Sequence, residues 1–202
     1  MEPFTNVRGV AAPMLSANID TDVIMPKQFL KGIDRSGLDS GVFHDLRFLP
    51  DGRKNPDFVL NRAPWCDAKF LVVGPNFGCG SSREHAVWGL RQLGIRALIG
   101  SSFAGIFFDN CKRNGVLLIE LTQEQVGDVG KAVSEESTAL IEIDLPAQKI
   151  SLADGATLGF AIDDLRKDAL VSGLDAIGGT LKLSDEIEQF ERRHFAAHPW
   201  LS

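Results

Sequence analysis

A chain of 202 residues with 44% hydrophobic and 24% charged side chains has the balance of a folded, water-soluble protein and is long enough to bury a core. Its formal net charge of -6 removes any general attraction to nucleic acid or anionic lipid, so an anion must be held locally. No apolar segment approaches the roughly 20 residues that cross a bilayer, and Cys66, Cys79 and Cys111, without C-x-x-C spacing, argue against a disulfide framework or a zinc site.

The N-terminal stretch MEPFTNVRGVAAPMLSANID lacks a basic start followed by a long apolar run, so it does not read as a secretory signal and a cytoplasmic location is the default. Next comes NIDTDVIMPKQFLKG, Asn18 to Gly32, where Asp20 and Asp22 flank Thr21 and Pro26 keeps the following residues out of a regular strand interior. Two readings stand: a turn with Asx-type hydrogen bonds, or one wall of an anion site with Lys27 and Lys31 as its cations. Residues 31 to 68 are rich in Gly, Asp, Pro and Arg without a sustained period, which predicts long loops and short helical turns forming a functional surface.

The middle of the chain is more regular. KFLVVG (69 to 74) is continuously apolar, as a strand buried on both faces is. SREHAVWGLRQLG then places Ala86, Leu90 and Leu93 at helical intervals and stops at Gly94. IRALIG (95 to 100) predicts a strand, SSFAGIFFDNCKRNG (101 to 115) a helix closing on Gly115, and VLLIEL (116 to 121) a third strand. Strands alternating with helices imply a parallel sheet with right-handed crossovers. TALIEIDL, KISLADG and ATLGFAI alternate apolar and polar residues and predict an antiparallel section. Two helices are expected last, around DDLRKDALVSG and SDEIEQFERRHFAAH, the second capped by Ser184 with Ile187, Phe190 and Phe195 on an apolar side. The fold class is α/β: one domain over 1–202, with a parallel βαβαβ core, an antiparallel section and a C-terminal helical extension from about 163 to 202.

The loop PNFGCGSSREH, Pro75 to His85, holds the densest chemistry. Gly78 and Gly80 permit unusual backbone angles and close approach of a ligand to the main chain, and the loop follows a parallel strand, where open sheets bind ligands. Its serines precede a helix whose free N–H groups and dipole favour negative charge. Ser81, three residues before Glu84, also fits a capping box without chemical role. Arg83 is either a solvated first-turn residue or a fork that holds a carboxylate, and His85 reads as a structural side chain. Neither the dinucleotide fingerprint nor the P-loop is present, since Arg83 stands where a third Gly belongs and no G-K-[ST] follows. The cysteines could supply three iron-sulfur ligands, but they lack close spacing, and each reads as a small buried apolar residue.

NIDTDVIMPKQFLKG, NFGCGSSREHAVWGL and SSFAGIFFDNCKRNG together resemble the small subunits of 3-isopropylmalate dehydratase, which are similar to the swivelling fourth domain of aconitase. The resemblance runs from about Phe4 through the final helices, and it implies a three-layer swivelling β/β/α domain. It further implies that Ser81 is the base next to a substrate carboxylate, that Ser82 and Arg83 bind carboxylate oxygens, and that Asp22 is an acidic active-site residue. Lys31 falls where aconitase carries a substrate-binding arginine, in a loop of different length. The implied partner is a large subunit whose cysteines hold a four-iron, four-sulfur cluster, this chain binding no cofactor and no metal. The implied substrate is a small dicarboxylic hydroxy acid. Gln28, Phe29 and Leu30 are candidates for discriminating 2-isopropylmalate from citramalate, homoaconitate or methylcitrate-type acids. A noncatalytic anion-binding regulatory module is the reading from another class.

Overall fold

A computed structural model describes residues 1–30 and 35–201. Seven strands form one mixed sheet: β1 (Asn6–Met14), β2 (Ala68–Val73), β3 (Ala97–Gly100), β4 (Leu117–Glu120), β5 (Leu140–Asp144), β6 (Lys149–Ser151) and β7 (Thr157–Gly159), in the order β4-β3-β2-β1-β5-β6-β7. The pairs β1/β2, β2/β3 and β3/β4 are parallel, and β5, β6 and β7 continue the sheet antiparallel from the other edge of β1. The helices among the described residues are α1 (Thr21–Ile24), α2 (His44–Arg47), α3 (Glu84–Gln92), α4 (Gly105–Asn114), α5 (Gln123–Ala132), α6 (Asp164–Ser172), α7 (Ala176–Leu181) and α8 (Ser184–Ala197).

The three apolar runs become β2, β3 and β4 because both faces of each are covered. On β2, Leu71 and Val73 belong to one core with Ala86, Val87 and Leu90 of α3 and Phe107 and Cys111 of α4. Phe70 and Val72 point the other way, into a second core with Val126 and Val129 of α5, Ile141 and Ile143 of β5 and Leu170 of α6. With period-two alternation buried on each side, no polar residue is needed along the strand.

The sequence pattern predicts neither β1 nor α5. Gly9 and Pro13 interrupt the β1 pattern, yet each has a local reason. A Cβ on Gly9 would lie 2.7 Å from Lys69 Cδ. Pro13 sits where β1 pairs only with β2, since β5 pairs with Asn6–Val10 alone, so its missing N–H leaves no neighbouring strand unserved. The signal for α5 is the capping box of Thr122 and Gln125, whose side chains and backbone N–H groups serve each other.

Residues 35–67 form short turns, as expected, but Leu38, Phe43, Leu60 and Trp65 bury their side chains in the α3–α4 core, so the segment is also structural. Three C-terminal helices replace the expected two. Ser184 does not cap α8; Leu183 holds the cap position with no side-chain hydrogen bond. The apolar side of α8 meets no core: the helix has no buried residue, and Phe190 is 58% exposed.

The expectation of three buried cysteines is corrected. Cys111 is buried in α4, Cys79 is half-buried in the loop after β2, and Cys66 is exposed. Burial pushes the Cys111 thiol well above the ordinary thiol range. In the native protein a thiol reagent is therefore expected to modify Cys66 fast and Cys111 only after unfolding, as mass spectrometry of the labelled peptides reports.

Candidate active site

Because β1 and β2 are adjacent and parallel, the loops that follow them leave the same edge of the sheet, the carboxyl edge. Backbone hydrogen bonds join the two loops like a further pair of strands: Asn18 N–H donates to Pro75 O at 2.9 Å, Gly78 N–H to Ile19 O at 2.8 Å and Thr21 N–H to Cys79 O at 2.8 Å. Asn76 Nδ2 donates to Asn18 Oδ1 at 2.8 Å, and the Thr21 hydroxyl donates to Ser81 O at 2.7 Å. Thr21, 2% exposed, is thus a clamp that the sequence pattern does not single out; its polar side chain between two aspartates is the available signal.

The two aspartates divide their roles. Asp20 caps α1, accepting the Val23 N–H at 2.8 Å, as the Asx reading expects. Asp22 faces the serine loop and pairs with Arg83, and Lys27 Nζ lies 3.8 Å from its other oxygen. The Arg83 side chain is only 10% exposed, and a second contact runs to Met25 O at 3.5 Å. Asp22 Oδ1 is shut off from solvent and faces the Arg83 guanidinium.

The glycines also separate. Gly78 has φ +77° and is buried, and a Cβ there would stand 2.2 Å from Phe107 Cγ, so its missing side chain is filled by the α4 core. Gly80, φ +90°, is exposed, with Asp20 Cβ as the nearest atom to an added Cβ at 3.4 Å, so the accessible main chain of the loop lies here.

The capping box expected of Ser81 is not formed. The α3 helix starts at Glu84 with Arg83 at the cap position and no side-chain cap. Glu84 instead accepts from Asn114 Nδ2 at 2.7 Å, and Asn114 Oδ1 accepts from Trp88 Nε1 at 3.0 Å, an arrangement that ties α3 to α4. His85 packs on Trp88, ring centroids 4.7 Å apart. Ser81 and Ser82 are exposed, and among the described residues their hydroxyls have no hydrogen-bond partner. Lys31 lies outside the described residues. Ser81, Ser82, Gly80 and Arg83 thus precede an uncapped helix start on a loop bonded to the segment that carries Asp22, which pairs with Arg83 and Lys27, and free helix N–H groups beside a guanidinium suit an anion. Among the described residues no three His, Cys, Asp or Glu side chains gather as a metal-binding group.

This fold and site define a mixed α/β domain of the aconitase swivel type: residues 1–124 match the family of the aconitase C-terminal domain, and residues 177–202 match that of the C-terminal domain of 3-isopropylmalate dehydratase small subunits. Over 201 residues the chain is 59% identical to 3-isopropylmalate dehydratase small subunit 1 of Mannheimia succiniciproducens, covering 100% of this chain and 99% of that one. It is 54% identical to small subunit 2 of Salmonella typhimurium, covering 100% and 96%. The crystal structure of 3-isopropylmalate dehydratase from Methanocaldococcus jannaschii superposes with a TM-score of 0.67 at 26% identity, covering 93% of this chain and 99% of that one. The chain belongs to the family of 3-isopropylmalate dehydratase small subunits.

Proposed function

We propose that this chain is the small subunit of a two-chain hydro-lyase in the cytoplasm that converts 2-isopropylmalate to 3-isopropylmalate by dehydration and rehydration, in leucine biosynthesis. The observation that carries the catalytic reading is the freedom of Ser81: its hydroxyl caps nothing, is open to solvent and stands at a helix start beside Arg83.

A serine hydroxyl is a weak base, and it serves as one only where its anion is favoured. The uncapped N–H groups of α3 and the guanidinium of Arg83 supply that environment. Removing a proton next to a carboxylate builds negative charge on the carboxylate, and the same donors, with the Ser82 hydroxyl, oppose that charge as it grows. In the free chain Asp22 pairs with Arg83, and in this reading an arriving substrate carboxylate competes with Asp22 for the guanidinium. Gly80 exposes main chain to the substrate, and Lys31 belongs to the same proposed set. Departure of the substrate hydroxyl calls for a Lewis acid, which this reading assigns to an iron-sulfur cluster on the large subunit. Among the described residues Cys66, Cys79 and Cys111 do not gather as a group, which supports placing the cluster on the partner.

The test is reconstitution: the chain purified with an iron-sulfur large subunit is expected to interconvert the two isopropylmalates faster than it dehydrates citramalate, homoaconitate or a methylcitrate-type acid. Absence of hydro-lyase activity in the assembled pair would sink the proposal. Arg83→Lys keeps the charge and loses the planar fork, so in the reconstituted enzyme KM is expected to rise by roughly tenfold to a hundredfold. An unchanged KM would remove Arg83 from substrate binding.

A further inference from the structure

Helix α8 has no core to meet: none of its residues is buried, and Leu183 at its cap position, Ile187 and Phe190 are 49%, 38% and 58% exposed. His194 stacks on Phe190, ring centroids 5.4 Å apart. Leu183, Ile187, Phe190 and His194 follow one another at intervals of four, three and four residues, which lays them in one stripe along the helix. A stripe of this spacing is the kind that closes against another helix.

Charge runs along the same helix in blocks. Asp185, Glu186, Glu188 and Glu191 come first, and Arg192 and Arg193 follow. Glu188 and Arg192 pair with each other within the helix at 3.2 Å. Glu186 and Arg193 directly precede Ile187 and His194, so they lie on the same flank of the stripe, two turns apart. Both are exposed, and neither has an ion-pair partner among the described residues; Arg193 Nε donates only to Gln189 O of its own helix, at 3.3 Å.

A second α8 laid antiparallel on the first satisfies stripe and flank in a single register. Ile187 of each copy meets Phe190 of the other and Leu183 meets His194, which brings Glu186 of each copy opposite Arg193 of the other, once on each side of a two-fold axis. The parallel arrangement instead sets Glu186 against Glu191 of the second copy, two like charges. We propose that α8 is a self-association surface, through which the free chain forms a two-fold dimer by antiparallel pairing with α8 of a second copy. A helix of 14 residues is about 21 Å long, so the pair buries less than the roughly 1,200 Å² of a standard interface and is reversible, with a dissociation constant expected at about 10 to 100 µM. No residue of the serine loop takes part, so this dimer and the hydro-lyase reading stand or fall separately.

Sedimentation equilibrium of the full chain from about 5 to 500 µM tests this, and the parent is expected to pass from monomer to dimer over that range. Glu186→Arg and Arg193→Glu each turn both flank pairs into like charges, and each is expected to raise the dissociation constant by about tenfold or more. The double variant Glu186→Arg/Arg193→Glu exchanges the two charges and is expected to dimerise as the parent does. An equimolar mixture of the two single variants is expected to recover as well, because every flank pair of the mixed dimer again joins opposite charges; that recovery is specific to antiparallel self-pairing. Phe190→Ser removes the apolar centre and is expected to remain monomeric, with the thermal unfolding of the parent monomer because the ring is exposed. A parent chain that stays monomeric throughout, as it would if the large subunit alone covers the stripe, single variants that dimerise like the parent, or a mixture that does not recover would each overturn the proposal.

Discussion

Ser81→Ala, reconstituted with the large subunit, is expected to lose turnover by about four orders of magnitude, because the proposal makes its oxygen the atom that takes and returns the proton. The structure sharpens this expectation by separating catalysis from stability. Had Ser81 capped α3, its loss would cost about 1 kcal/mol of folding free energy. Since the cap position belongs to Arg83 and the Ser81 hydroxyl has no partner among the described residues, the unfolding free energy is expected to stay within about 0.5 kcal/mol of the parent. Only the Ser81 carbonyl is engaged, by the Thr21 hydroxyl, and alanine retains that carbonyl. The paired measurement is kcat of the assembled enzyme beside denaturant unfolding of the isolated chain. A variant that keeps more than about a tenth of normal turnover would remove Ser81 from the chemistry.

Gly78→Ala is expected to produce the largest loss of stability in the loop, roughly 3 kcal/mol or more, because two penalties coincide. The backbone there has φ +77°, which a side chain disfavours, and the new Cβ would stand 2.2 Å from Cγ of Phe107, a ring with only 2% exposure. Phe107 cannot withdraw cheaply, since it is held in the α3–α4 core and its ring also packs edge-on against Phe77 of the same loop, ring centroids 5.5 Å apart. Relief requires the loop to move, which drags Ser81 and Arg83 from Asp22 and Thr21, so activity is expected to fall along with the unfolding midpoint. Gly80→Ala is the control: its φ of +90° carries strain, but the added Cβ meets nothing closer than 3.4 Å, so the loss is expected to be about 1 kcal/mol. Equal midpoints for the two variants would show that packing against Phe107 does not hold the loop.

Local composition is enough for the parts of this molecule whose cause is local. The runs at 69–74, 95–100 and 116–121 announce buried strands because covering both faces of a parallel strand leaves no position for a polar side chain, and β2, β3 and β4 overlap them closely. The Gly-rich loop, its place at the carboxyl edge and the excess of anion-seeking groups around Ser81, Ser82, Arg83 and Asp22 are legible for the same reason: residue type and spacing set turn geometry and charge. What depends on distant neighbours is not. Gly9 and Pro13 hide β1, because their tolerance comes from Lys69 and from which strand edge lies unpaired. The α3 helix starts at Glu84 without a Ser81 cap because Glu84 is drawn to Asn114 of another helix and the Ser81 carbonyl to Thr21. The Asp22–Arg83 pair and the packing of Phe107 beneath Gly78 join residues far apart in the chain. One-dimensional order determines which groups are available and which turns are possible; which of them face each other at the site, and so which hydroxyl is left free, is decided only when β1 enters the sheet beside β2 and brings its loop against the serines.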